Sequence, residues 1–117
     1  MTPRRPALTP GVYRVAPPAA DAARARQQGG WHAVVVPSAT STADLYPALA
    51  RALGLPPWFG GNLDALWDCL TDLTEPTALV LADWTRYEHA EPSQASRFLQ
   101  LFRERTQSDP PFAVLLA

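Results

Sequence analysis

The chain has 117 residues, 47% of them hydrophobic, and four Trp and four Phe supply bulky side chains for a core. A domain of this length buries about two-thirds of its unfolded surface, so we exclude a disordered chain and expect a single domain. Cys69 is the single cysteine, which excludes an intramolecular disulfide, and no apolar run can span a bilayer. The first residues lead into no apolar signal core, so we expect a soluble, cytoplasmic protein.

Charge is unevenly distributed along the chain, although the net charge is only −1. Residues 1–51 contain six Arg and two Asp, whereas residues 52–85 contain five acidic residues and no basic one. In residues 86–117, four Arg balance four acidic residues. The middle of the chain therefore carries all of the uncompensated negative charge. Such a surface repels phosphates, so we expect no direct binding of DNA or RNA.

The N-terminal third alternates between strand and helix signals. Residues 1–10 are rich in Pro and Arg and are typical of a loose tail. Val12–Val15 can form a short strand, and Ala19–Gln28 can form a short helix that ends at a glycine pair. Trp31–Val36 is rich in β-branched residues and is followed by proline, which predicts a buried strand.

The middle of the chain predicts two helices separated by a loop. Either residue of the pair Ser41-Thr42 can cap the first helix, in which leucines recur at every fourth position. Pro47 lacks the N–H that a helix interior needs, so it is unfavourable in this helix unless the regular part begins at Tyr46. Residues 54–61 are rich in Pro and Gly and are predicted to form a loop, after which Asn62 is a natural N-cap.

Two more strands and one helix complete the chain. Thr77–Leu81 and Phe112–Leu116 are too uniformly apolar to alternate, so each is predicted to be a strand covered on both faces. Between them, Pro92-Ser93 opens a helix with an apolar stripe, which Pro110-Pro111 terminates. Strands that alternate with helices favour parallel pairing through crossover helices, which makes this an α/β fold.

The helix predicted from Asn62 to Leu73 carries an acidic ridge. Asp64, Asp68 and Asp72 are spaced four residues apart, so their side chains share one face and repel one another. The helix dipole favours an acid at Asp64, in the first turn, but disfavours one at Asp72, near the C-terminal end. The ridge can be a solvated surface or a binding surface. Trp67 within the helix favours binding, because aromatic anchors are typical of interface hot spots.

Catalytic and metal-binding alternatives lack the necessary components. His32 lies within a predicted strand and His89 among charged residues, and neither is part of a recognisable nucleophile pattern. Cys69 lies beside the ridge and is interpreted as a buried, inert thiol. A metal is not expected, because the carboxylates of one helix face cannot surround a cation. No phosphate-binding glycine loop occurs, so no cofactor is expected.

Residues 55–71, Leu-Pro-Pro-Trp-Phe-Gly-Gly-Asn-Leu-Asp-Ala-Leu-Trp-Asp-Cys-Leu-Thr, resemble the barstar family of ribonuclease inhibitors. The similarity extends from about His32 to Leu116, with matches at Asp44-Leu45, Leu79–Leu81 and Leu101–Glu104. This resemblance implies a three-stranded parallel sheet flanked by helices. It also divides the chain into an N-terminal extension, residues 1–30, and a barstar-like domain, residues 31–117.

The resemblance implies a set of partner-binding residues. Asp68 is expected to fill the pocket in which the enzyme holds a substrate phosphate, and Asp64 and Glu104 are expected to face its basic cleft. A cleft that holds RNA is basic, so carboxylates aimed at it compete for the same charges. The other expected contacts are Trp58, Gly60, Asn62, Trp67, Thr71 and Asp72, the last of which stands where the family has glycine.

The resemblance implies an intracellular inhibitor that occludes the active site of a barnase-like, guanyl-preferring ribonuclease in a one-to-one complex. We expect no nucleic acid, membrane, metal or cofactor as a ligand, and no enzymatic activity. One alternative is an immunity protein, or antitoxin, that neutralises a different basic toxin with the same face. Another is a small hydrolase that uses Asp64, Asp68 and Glu104, although nothing supplies its nucleophile or base.

Overall fold

The computed structural model describes residues 9–56 and 59–117 and shows an α/β fold. Its elements, in chain order, are β1 (Gly11–Arg14), α1 (Ala19–Gln28), β2 (His32–Val36), α2 (Thr42–Leu53), α3 (Leu63–Thr71), β3 (Thr77–Leu81), α4 (Trp84–Ala90), α5 (Pro92–Arg105) and β4 (Phe112–Leu116). The strands form one sheet in the order β1-β4-β3-β2, and every pair of neighbours is parallel. No helix in the described part of the chain is long and apolar enough to cross a membrane.

The sheet has four strands, which corrects the expectation of three. β1 pairs in parallel with β4, with Gly11 opposite Ala113 and Arg14 opposite Leu116. The strand signal at Val12 is visible in the sequence, but its partner lies at the other end of the chain. Such non-local pairing cannot be inferred from local periodicity, and the family resemblance begins after β1.

The direction of the connections explains which face of the sheet each helix covers. From β2 through β3 to β4 the chain advances one strand at a time, so right-handed crossovers place α2 to α5 on one face. From β1 to β2 it crosses the sheet in the opposite direction, so the same handedness places α1 on the other face. The packing agrees: Ala23 of α1 clusters with Val80 and Leu115, whereas Leu79 and Val114 belong to the main core.

α2 begins directly after Ser41, one of its two predicted caps, and tolerates a proline in its interior. The helix begins at Thr42 and contains Pro47 in its interior, while the Ser41 hydroxyl accepts a hydrogen bond from the Asp44 N–H at 3.2 Å. Because proline has no N–H, the carbonyl four residues earlier loses its helical donor. Pro47 lies on the exposed side of α2, where water can satisfy that carbonyl.

The sequence pattern did not predict α4. This short helix buries Trp84 and Tyr87, each 2% exposed, one turn apart against the main core. The hydroxyl of Tyr87 is 2.7 Å from that of Thr42, a hydrogen bond that ties α4 to α2. Asp83, which precedes α4, has a left-handed backbone with φ of 53°. That conformation is rare outside glycine, so a pattern of residue types does not reveal it.

Candidate protein-binding site

The candidate site is built on α3, which is held by a cap at its start and by leucines on its inner face. The Asn62 side-chain oxygen accepts a hydrogen bond from the Ala65 N–H at 2.8 Å, which confirms the predicted N-cap. Gly61 precedes the cap with φ of 63°, a left-handed conformation that glycine adopts without strain. Leu66 and Leu70 are fully buried, at 0% exposure, and fix the helix against the core.

The three aspartates of the ridge are all exposed. Each step of four residues turns about 40° beyond one full helical turn, so the ridge winds around α3. Asp64 consequently lines a groove between α3 and α5, whereas Asp68 and Asp72 line a groove on the opposite side of α3. The helix thus separates two grooves, and carboxylates border each of them.

The groove between α3 and α5, hereafter the α3–α5 groove, has a volume of about 370 Å³. Asp64 borders it from α3 and Glu104 borders it from α5, so the fold brings together two acids that are distant in sequence. The indole of Trp67, which is half-buried, lines the groove with Leu63 and Leu101. Two carboxylates beside an aromatic ring suit a guanidinium, which bonds carboxylate oxygens and stacks on aromatic faces.

The second groove, hereafter the loop groove, lies between α3 and the chain segment that precedes it and has a volume of about 390 Å³. Phe59 and Leu73 contribute apolar surface, and Asp68 and Asp72 contribute charge. Gly60 also lines this groove. A Cβ atom at this position would lie 3.1 Å from the side-chain nitrogen, Nδ2, of Asn62. A side chain at position 60 would therefore press on the residue that caps α3.

Cys69 is partly exposed in the loop groove, which corrects the interpretation of this residue as buried. Partial burial of the thiol still raises the pKa of Cys69, and the negative charges of Asp72 and Asp68 raise that pKa further. The thiolate is the nucleophilic form of cysteine, so a raised pKa lowers reactivity at neutral pH. Asp68 and Asp72 also line this groove, so it carries negative charge beside the thiol.

The remaining residues of the expected interface differ in their surroundings. Thr71 is exposed at the end of α3, and its hydroxyl donates a hydrogen bond to the Asp68 carbonyl at 2.8 Å. Its oxygen is therefore the group free to interact with a partner. Trp58 lies outside the described residues. Within those residues no group of three or more His, Cys, Asp or Glu side chains is placed to hold a metal ion.

The carboxylates that border the grooves form no salt bridge in the described part of the chain. The ion pairs found there join Arg14 to Glu88 and Arg24 to Asp21, and His32 Nδ1 lies 4.0 Å from a carboxylate oxygen of Glu75. None of these six residues lines either groove. The acids of α3 and Glu104 are thus available to a basic partner.

Sequence reasoning missed two arginines that belong to this site. Arg97 lines the α3–α5 groove and lies two helical turns before Glu104 on α5, a spacing that places both on one face. Arg105 is completely buried, at 0% exposure, and donates a hydrogen bond to the Leu70 carbonyl. Its position continues the apolar stripe of Phe98 and Phe102, so the periodicity could have predicted its burial.

The fold and the site define a small α/β protein that presents an acidic helix between two grooves. A scan against models of protein families matches residues 31–117 to Barstar, described as the barnase inhibitor family. The chain therefore belongs to the barstar family, whose members are protein inhibitors rather than enzymes. The match begins after α1, so β1 and α1 lie outside the part that the family shares.

Proposed function

We propose that this protein inhibits a barnase-like, guanyl-preferring ribonuclease in the cytoplasm by occluding its active site in a one-to-one complex. The observation that carries the proposal is the arrangement of exposed carboxylates from α3 and α5 around two adjacent grooves, none of them in a salt bridge among the described residues. Membership of the barstar family supports a ribonuclease as the partner. An active site that holds RNA is positively charged, so this acidic surface complements it.

Asp68 is the proposed anchor of the complex. It is exposed at the middle of α3, beside the loop groove, and its backbone is held in a helix whose inner face is fully buried. A carboxylate on such a rigid element reaches a phosphate-binding pocket with little loss of conformational freedom. We propose that it occupies the position of a substrate phosphate and bonds the cations that would hold it.

The α3–α5 groove is proposed to receive one basic side chain of the enzyme. Asp64 and Glu104 supply carboxylate oxygens from the two sides, and Trp67 supplies an aromatic surface. An arginine fits this environment better than a lysine, because its planar guanidinium combines bidentate hydrogen bonding with stacking. This groove and Asp68 then contact separate cations of the same enzyme.

The other proposed contacts surround these two sites. Asp72 and Gly60 border the loop groove, and Thr71 offers its hydroxyl oxygen at the end of α3. Asn62 contributes mainly by capping α3, because its side-chain oxygen is engaged by the Ala65 N–H. Trp58 is proposed as an aromatic contact from the loop, on the grounds of the family resemblance alone.

Titration of a barnase-type ribonuclease with the protein tests this function. Hydrolysis of RNA should fall linearly and reach zero at one equivalent of inhibitor, and guanosine 3′-monophosphate should slow complex formation by occupying the active site. Egg-white lysozyme, a basic protein without ribonuclease activity, serves as the control for unspecific attraction and should not bind. A complex that still binds the mononucleotide would contradict occlusion. Full ribonuclease activity at excess inhibitor would favour the alternative, a different basic toxin.

A further inference from the structure

Arg105 links the two helices that carry the proposed binding residues. It is the last residue of α5, and its Nε–H donates a hydrogen bond to the Leu70 carbonyl of α3 at 2.8 Å. Nη1 donates to the Ser108 carbonyl at 2.9 Å, and the guanidinium lies 5.4 Å from the centroid of the Phe112 ring. With 0% exposure, the side chain is fixed on several sides and joins α3, α5 and the start of β4.

The C-terminal end of α3 needs such a partner. Its last turn contains no basic residue, and Asp72 at the C-cap adds negative charge at the negative end of the helix dipole. The Leu70 carbonyl is one of the terminal carbonyls for which α3 itself supplies no i+4 donor. The backbone nitrogen of Leu73, just beyond the helix, lies 3.4 Å from its oxygen, which makes only a long hydrogen bond. Arg105 supplies from a neighbouring helix both the cation and the donor that α3 lacks.

A buried guanidinium is a costly way to fill a core. Burial lowers the pKa of Arg105, which the negative charge of Asp109 partly counteracts. Nη2 has no hydrogen-bond partner among the described residues, so the charge is incompletely satisfied there. Apolar residues of similar volume commonly stabilise a core as well as or better than a buried charge. Filling the core does not by itself account for a guanidinium at this position.

The geometry that Arg105 fixes is that of the proposed binding surface. Glu104, the residue before it, borders the α3–α5 groove, so one turn of α5 both holds α3 and presents a carboxylate. We propose that Arg105 is a positioning residue that sets the separation between Glu104 and the aspartates of α3. This inference rests on the proposed function. It predicts that loss of the link loosens the complex even when the protein stays folded.

The first arm of the test measures dissociation of the complex with a barnase-type ribonuclease, at a temperature where all variants are folded by circular dichroism. Arg105→Met, which keeps most of the volume, should raise the dissociation rate on the order of tenfold. Arg105→Lys, which keeps the charge but loses the planar fork, should raise it less. Val114→Ala, a fully buried change in the main core, is the control for stability alone and should leave the rate unchanged. Equal dissociation rates for Arg105→Met and Val114→Ala would overturn the proposal.

The second arm needs no ribonuclease and uses Cys69 as a probe of α3. Its thiol lies one residue before Leu70, so a loosened helix end should react faster with Ellman's reagent. Arg105→Met should be labelled faster than Val114→Ala when the two are compared at equal free energy of unfolding. Equal labelling would refute the link whether or not the ribonuclease binds. If the parent protein fails to bind, the proposed partner is wrong, and the labelling rates still decide the role of Arg105 in holding α3.

Discussion

Asp64 in the first turn of α3 and Glu104 near the end of α5 border one groove, with the indole of Trp67 on its wall. The fold therefore creates one acidic site from two helices, and neither helix alone contains it. Carboxylates that share a single cationic ligand are energetically coupled, whereas carboxylates with separate ligands act independently. Coupling is thus a measurable consequence of this arrangement.

A double-mutant cycle should reveal that coupling. Asp64→Ala and Glu104→Ala should each weaken binding of the ribonuclease, and together they should weaken it less than the sum of the two, by about 1 kcal/mol. The control pair is Asp68 with Glu104, because Asp68 borders the loop groove instead, and its effects should add. Isothermal titration calorimetry measures all the variants. Additive effects for both pairs would mean that Asp64 and Glu104 do not share a ligand.

Association with the ribonuclease should slow as salt concentration rises, while dissociation should change less, because screening acts mainly on long-range attraction. Arg97 places a positive charge within the α3–α5 groove, so Arg97→Ala should speed association at low salt by about two- to threefold. Arg24→Ala removes the same charge from α1 on the other face of the sheet and should have a smaller effect. Stopped-flow kinetics makes this comparison. An association rate that is independent of salt would exclude electrostatic steering.

The N-caps of α2 and α3 offer a matched pair of substitutions. Asn62→Ala and Ser41→Ala should each lower the free energy of unfolding by about 1 kcal/mol, because each removes a side-chain acceptor from a helix start. Only Asn62→Ala should also weaken binding, since fraying of α3 displaces Asp64 in its first turn. Urea unfolding and calorimetric titration measure the two effects. Equal affinities for the two variants would show that the order of the first α3 turn is irrelevant to binding.

Local signals were sufficient to predict α3. The cap at Asn62 and the leucines of its inner face act within a few residues of one another, and both appear in the structure as expected. The β1–β4 pairing and the role of Arg105 were not predictable in this way, because each depends on residues brought together from distant parts of the chain. The approach of Glu104 to Asp64 was expected only through the family resemblance. Tertiary packing, which periodicity does not encode, decides all three features.

The segment before the family match should contribute to stability more than to binding. A truncation that starts at Gly29 removes β1 and α1, which leaves β4 as a sheet edge and uncovers Val80 and Leu115. Exposure of these two apolar side chains should lower the free energy of unfolding by about 2 to 4 kcal/mol. Inhibition by the folded fraction should persist, because the acidic grooves lie on the opposite face of the sheet.

Ala23→Asp provides a full-length control for that truncation. Ala23 is 6% exposed at the contact between α1 and the sheet, so a buried charge there should destabilise the protein without altering its affinity. Urea unfolding and a titration of ribonuclease activity apply to both proteins. A truncated protein that folds fully but no longer inhibits would place the N-terminal segment in the binding site.

Asp68 gives the sharpest test of the proposed mechanism. If its carboxylate replaces a substrate phosphate, Asp68→Ala should weaken binding more than any other single truncation, by about 3 to 5 kcal/mol, because it leaves cations of the enzyme buried and unpaired. Asp68→Arg should abolish binding by placing like charges together. Neither change should lower the melting temperature, because Asp68 is exposed and its loss relieves repulsion along the ridge.

The competing interpretations of Asp68 predict different outcomes. A purely solvated acidic face predicts unchanged affinity for Asp68→Ala, and a structural role predicts a lower melting temperature for both variants. Asp64→Ala is the internal comparison: it should cost less affinity but some stability, because Asp64 also interacts with the dipole at the start of α3. Calorimetric titration together with thermal melts of the three variants separates these cases. Parent-like affinity for Asp68→Ala would refute the phosphate-mimic assignment, since no other described side chain of α3 offers a carboxylate at the middle of the helix.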